Sequence, residues 1–260
     1  MMDVVVPSDL RGSYVPFWVA GAIRGRLRRD VADALRDYPG IEPADIGFRL
    51  CERGSSSTAR SRALQALAIH LRKLNLIADW RNELSALLDE SGNEIARCER
   101  GAFRTLGLQN RAVHVNGYRE DGRMWIARRS AQKRADPGKL DNLAAGGVSA
   151  GESPRRTAMR EAWEEAGVPS NLSRRIDFPG MVIRSVRETT FGVHDELVIV
   201  ADLVLPMSFE PSGRDGEVSE FLCCSREEVE AALAREEFTI EAALALRESL
   251  ERRGSAAPLP

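Results

Sequence analysis

The chain has 260 residues, 43% of them hydrophobic and 29% charged, and a net charge of −2. That describes an ordinary globular protein with room for one large core or two modest ones. It lacks the basic excess of a nucleic-acid binder, and no apolar run approaches the roughly 20 residues of a membrane span. The start, from Met1 to Pro7, has no basic region and too short an apolar stretch for a signal peptide. Cys51, Cys98, Cys223 and Cys224 lack C-x-x-C spacing, so neither a zinc site nor a disulfide framework is expected. The compartment expected is reducing and cytoplasmic.

Residues up to about 20 read as irregular, with Pro7, Gly12 and Pro16. Between Gly21 and Tyr38, Ile23, Leu27, Val31 and Leu35 recur every four residues among arginines, which predicts an amphipathic helix ended by Pro39-Gly40. Residues 46–50 are a short strand candidate, and Gly54-Ser55-Ser56-Ser57 a flexible connector. Residues 58–75 predict a second helix with Leu64, Leu67, Leu71 and Leu74 on one stripe. His70 beside that stripe reads as a half-buried surface histidine more readily than as a ligand. Residues 84–88, a turn at Asp89-Glu90-Ser91-Gly92-Asn93 and residues 94–98 predict a hairpin. The first 105 residues then form a small α+β unit without obvious chemistry: a platform, a homodimer surface, or part of a substrate pocket.

Residues 112–118 and 124–129, joined by Glu120-Asp121-Gly122, predict a second hairpin. His114 and Asn116 share one face of its first strand, which suits a pocket wall and equally an ordinary buried hydrogen-bonded pair. In the polar stretch that follows, Lys139 can meet a phosphate and Asp141-Asn142 can orient loop backbone; a solvated loop is the alternative.

The stretch from Gly146 to Val168 reads as a flexible loop, a capped helix and a stop. Gly146, Gly147 and Gly151 allow close backbone approach, Ser153 is a good N-cap, and Pro154 falls at the first helical position. Gly167 supplies a left-handed stop. At about 100° per residue, Glu161, Glu164 and Glu165 share a narrow sector, with Met159, Ala162, Trp163 and Ala166 on the opposite side. Arg160 can pair with Glu164 four residues on. Clustered carboxylates suit a hard divalent cation, which takes oxygen ligands and retains water and phosphate as the others. A solvated acidic face is the plainer alternative. Ala144-Ala145-Gly146-Gly147 makes a poor strand, so the G-x-S-x-G match at Gly147–Gly151 is not expected to be a nucleophile elbow, although Asp177 and His194 follow in hydrolase order.

Residues 181–190 and 196–205 are two β-rich runs, and residues 221–224 a further strand with one of Cys223-Cys224 in the core and one out. Ser225 with Glu228 forms a capping box that opens a helix to about Ala234. Residues 238–252 predict a last helix, and 254–260 a frayed tail.

Gly146, Glu152, Arg160-Glu161, Glu164-Glu165 and Gly167-Val168, at these spacings, resemble the signature of Nudix hydrolases. Ala162 stands where that pattern has a bulkier aliphatic residue. Trp80-Arg81-Asn82-Glu83, residues 113–118, Lys139-Leu140-Asp141-Asn142, residues 202–206 and Asp215-Gly216-Glu217-Val218 further resemble Nudix proteins related to thiamine pyrophosphokinase. The resemblance implies an α/β (α+β) fold: a Nudix α/β/α sandwich with a mixed sheet over residues 106–253, after the N-terminal unit at 1–105. It implies a Mg²⁺ site, with Mn²⁺ as substitute, built on Gly146, Glu161, Glu164 and Glu165. Arg160 would orient the glutamates, Glu152 brace loop against helix, and Gly147 and Gly167 shape the loop. The base would be Glu164, Glu165 or a later acid, Glu217 or Glu220. His114, Asn116, Lys139, Asp141 and Asn142 are the substrate-binding candidates. The implied reaction is hydrolysis of a small-molecule diphosphate, such as damaged thiamine diphosphate, to a monophosphate. Because the chain ends without room for a kinase half, a clean-up hydrolase is expected. Oxidised nucleoside diphosphates, ADP-ribose or prenyl diphosphates are alternative substrates, and a non-catalytic ligand-binding module is the alternative of another class.

Overall fold

The structure is a computed structural model and describes residues 14–51 and 56–255. The first residues, the connector at Gly54-Ser55 and the tail beyond residue 255 lie outside the described residues. Tyr14–Val19 (β1) and Ala22–Arg28 (β2) form an antiparallel hairpin, followed by Arg29–Leu35 (α1), Ile41–Pro43 (β3) and Phe48–Leu50 (β4). These strands make a four-stranded sheet in the order β2-β1-β4-β3. Ser57–Lys73 (α2) packs on a second hairpin, Leu84–Leu88 (β5) and Glu94–Glu99 (β6), as its leucine stripe requires. Leu64, Leu67 and Leu71 are buried; Leu74 is exposed at the helix end. His70 stacks on Tyr38 with ring centroids 4.4 Å apart.

The long helix expected between Gly21 and Tyr38 does not form. A four-residue spacing is a multiple of two as well as close to one helical turn, so it cannot separate strand from helix. Here Ala20 and Gly21 both take positive φ (52° and 74°) and turn the chain into a hairpin. Leu27 is then buried as a strand residue, Val31 and Leu35 as helix residues, and Ile23 is left exposed.

Arg100–Leu106 (α3) connects this unit to Gln109–Arg119 (β7), Met124–Arg129 (β8), Leu140–Asp141 (β9) and Ala144–Gly147 (β10). Then come Pro154–Ala166 (α4), Ser170–Ser173 (α5), Val182–Thr189 (β11), Gly192–Leu205 (β12) and Val218–Cys224 (β13). Arg226–Ala234 (α6) and Ile240–Ser255 (α7) close the described chain. The main sheet runs β11-β12-β7-β8-β13, with β10 added to β7 and β9 to β8. β12 and β7 are parallel over eleven residue pairs and the other pairings antiparallel, so the sheet is mixed. α4 covers one face through Ala158, Ala162 and Ala166, and α7 the other through Ala242, Ala245 and Leu246.

Three further expectations are corrected. Ala144–Gly147 is a strand after all, paired with 112–115 of β7. Trp163 is not on the packed side of α4 but 45% exposed, under the Arg214 guanidinium at 3.8 Å. Cys223 and Cys224 are both half-buried, because β13 lies at the sheet edge, where neither face is fully covered.

Candidate active site

α4 begins and ends as its sequence dictates. The Ser153 hydroxyl accepts from the Arg156 N–H at 3.3 Å, Pro154 opens the helix, and Gly167 closes it at φ 67°. The glutamates do not form a solvent face opposite the apolar side. Glu161 and Glu165 sit beside the alanine stripe, their side chains only 13% and 8% exposed, while Glu164 points outward at 44%. Glu165 Oε2 accepts from the Ala145 N–H of β10 at 2.8 Å. Burial pushes the Glu161 carboxyl up to about 7 against the pull of Arg160, and Glu165 up to about 8 against Lys133.

Arg160 is the hub of the helix's charges. Its guanidinium reaches Glu161 at 2.7 Å, Glu164 at 3.0 Å and Glu152 at 3.2 Å. Glu152 also accepts from the Thr157 hydroxyl at 2.9 Å and so ties the loop to the first turn of α4.

The two glycines of β10 give way to charged groups on opposite faces. A Cβ on Gly146 would fall 2.0 Å from Glu161 Oε1, and one on Gly147 would fall 1.6 Å from Arg100 Nη2. Arg100 starts α3, in the N-terminal unit, and is held by both oxygens of Glu83 at 3.0 and 3.1 Å. Glu83 also accepts from the Ser149 hydroxyl, and Ala150 N–H donates to the Leu84 carbonyl. Ser149 is thus a bracing residue of the loop; among the described residues it bonds neither Asp177 nor His194.

Glu165, Asp215 and Glu217 each place a carboxylate oxygen within 4.8 Å of the others. Lys133 sits between them, 3.4 Å from Glu165 and paired with Glu217. An ammonium drawn into that position marks where positive charge belongs, and all-oxygen donors of this kind suit Mg²⁺ or Mn²⁺. Glu220, in contrast, is taken up by Arg128 at the sheet edge.

The polar row on β7 is interior. His114 Nδ1 lies 2.8 Å from Asn142 Oδ1, Asn142 donates to Asn116 at 2.6 Å, and Asn116 donates to Asp202 at 3.0 Å. All four are buried, and Asp202 is held ionised by Arg252, Asn116 and Ser249 against its own burial. Asp141 pairs with Arg129 at 2.8 Å and accepts from the Asn142 N–H, while Lys139 stays half-exposed on the loop. Lys133 and Arg100 escaped sequence reasoning: one lies in a featureless polar loop, the other in a separate unit.

The description "NUDIX domain" matches residues 108–246, and "Domain of unknown function (DUF4743)" matches residues 3–110. The chain belongs to the Nudix family and carries an additional N-terminal domain. It is 32% identical over 223 residues to "Nudix hydrolase 24, chloroplastic" of Arabidopsis thaliana, covering 81% of this chain and 59% of that one. "Nudix hydrolase 20, chloroplastic" of the same plant is 29% identical over 234 residues, covering 82% and 61%. The chain therefore spans about three-fifths of the length of these curated relatives. No helix among the described residues is long and apolar enough to cross a membrane.

Proposed function

We propose that this protein is a Mg²⁺-dependent hydrolase that cleaves the phosphoanhydride of an organic diphosphate. The observation that carries this reading is the pair Glu161 and Glu165, two carboxylates buried together beside a glycine strand, with Asp215 and Glu217 next to Glu165. Buried carboxylates are costly to ionise unless a cation meets them. Glu161, Glu164 and Glu165, with the Gly146 backbone, would hold Mg²⁺ or Mn²⁺. When bound, the cation would neutralise phosphate charge and make a water acidic enough to attack. Arg160 holds Glu161 and Glu164 in position, and Glu152 holds Arg160. Glu217, loop-borne and half-exposed, would take the proton from water, a role its nearness to Glu165 and Asp215 supports, and Lys133 would swing from the carboxylates to a phosphate. His114, Asn116, Asp141 and Asn142 set the position of β7, β9 and the loop leading to β10; Lys139 remains a candidate phosphate contact.

Within that reaction we favour damaged thiamine diphosphate as substrate, on the sequence resemblance beyond the signature; oxidised nucleoside diphosphates and ADP-ribose are the alternatives. Retention of every charged signature position speaks against a binding-only module. Residues 1–105 and 106–253 are proposed as the two domains, and the reducing, cytoplasmic setting expected from cysteines without C-x-x-C spacing is retained as part of the proposal. The N-terminal unit remains the candidate homodimer surface. A panel of these diphosphates with Mg²⁺ tests the reading: monophosphate release that stops in excess chelator is expected. Release unchanged by chelator, or none from any diphosphate, refutes it.

A further inference from the structure

Between α3 and the β11–β12 turn lies a cavity of about 140 Å³, lined by Arg100 and Arg104 among others. It is built by close approach: a Cβ on Gly192 would fall 2.3 Å from the Arg104 carbonyl oxygen, so the turn rests directly on the α3 backbone. The lining carboxylates already have cations. Asp79 meets Arg81 at 2.7 Å, Asp195 meets Arg184 at 2.6 Å, and Glu196 faces His194 at 3.6 Å. Arg104 is different. Among the described residues its guanidinium meets no carboxylate within 4.0 Å; its side-chain neighbour is His194 Nδ1 at 3.2 Å. His194 in turn stands between Glu196 and Glu241; burial opposes its charge, but these carboxylates outweigh burial and raise it to about 9. A largely buried guanidinium with this one imidazole contact and no carboxylate keeps further N–H donors, and its five fixed donors suit an oxyanion.

We propose that this cavity is an oxyanion subsite, in which Arg104 receives a phosphate of the substrate and Arg100, one helical turn away on α3 and braced by Glu83, adds positive charge beside it. Arg100 links the two regions. It lines the cavity and lies against Gly147, next to the Gly146 that abuts Glu161. The N-terminal unit thereby supplies part of the active site rather than a mere platform. This rests on the diphosphate reading for its substrate, but the site itself is testable without metal.

The full chain in EDTA is titrated with inorganic phosphate and with inorganic pyrophosphate by calorimetry. Saturable binding is expected in both titrations, weakened at least about tenfold in Arg104→Gln, since a charge-assisted fork is lost. Arg104→Lys, which keeps charge and bulk should the first variant fail to fold, is expected to fall between. With Mg²⁺ and a diphosphate that is hydrolysed, both variants should lose more in KM than in kcat, while Arg36→Ala, an exposed arginine paired only with Asp33 among the described residues, changes neither. Phosphate affinity equal in wild type and variants, absence of binding at millimolar phosphate, or an unchanged KM overturns the subsite. Anion binding in EDTA without turnover of any diphosphate in Mg²⁺ refutes the hydrolase reading alone.

Discussion

Glu165 is buried against β10, accepts one backbone N–H, and is answered by a single lysine. Its ionised form is therefore held at a cost that the proposed metal site needs and the fold does not. Glu165→Gln keeps the shape and the acceptor for Ala145 but removes the charge. Turnover is expected to fall at least about a hundredfold, the low end for loss of a catalytic acid or base. The metal-free variant should melt higher than wild type at about pH 8, because the buried charge is gone. Steady-state kinetics and thermal melts of the same preparation check both halves; full activity would remove Glu165 from the metal site. Gly146 tests its neighbour. In Gly146→Ala the new methyl falls within 2.6 Å of the Glu161 Cγ as well as on its carboxylate, so the whole side chain must be displaced from its place beside Arg160, at some cost in stability. The Mg²⁺ concentration for half-maximal activity should rise at least about tenfold, as when a group that orients a metal ligand is disturbed.

At the level of elements, α4 is the best-specified piece of the chain. A capping serine, a proline at its first position and a left-handed glycine after its last turn all act locally. Ser153→Ala removes the hydroxyl that accepts the Arg156 N–H and should cost about 1 kcal/mol of stability. A lower urea midpoint at unchanged slope would register it. α3 is the opposite case: only seven residues long, it gains its place from contacts with β2 and β12 on either side. Its arginines acquire meaning only once those elements converge, which is why the sequence read as a chemistry-free unit here.

For the molecule as a whole, the two buried glutamates set a pH dependence of stability. Unfolded, each carboxyl titrates near the ordinary 4.5; folded, near 7 and 8. Between those values the native state holds more protons than the unfolded one, so metal-free stability falls as pH rises until about 8 is passed. His194, raised from 6.5 to about 9, adds stability that is complete below 6.5 and lost through 9, the same direction. Mg²⁺ requires the deprotonated carboxylates, so its stabilising effect should grow across about pH 7 to 8. Thermal melts with and without excess Mg²⁺ at about pH 6 and pH 8.5 measure this. An increment in melting temperature that is the same at both pH values would count against the metal site.

What the chain specifies by itself is whatever is settled within a turn or two of backbone. The caps of α4, the Asp121-Gly122 hairpin, the Ser225–Glu228 capping box and the leucine stripe of α2 were all legible because neighbouring residues decide them. Periodicity failed at β2, where a four-residue repeat fits both strand and helix and only the turn at Ala20-Gly21, with the close approach of Gly25 to the Leu106 carbonyl of α3, selects one. It failed again at β10, whose small residues lack strand propensity; pairing with β7 makes it a strand, and charged groups on both faces take the space its glycines leave. Which glutamates turn inward, and the arrival of Lys133 and Arg100 beside them, depend on segments distant in sequence. Charge placed by packing has no local signature, so the family was readable from one short stretch of this helix, while the helix's surroundings were fixed only by the folded whole.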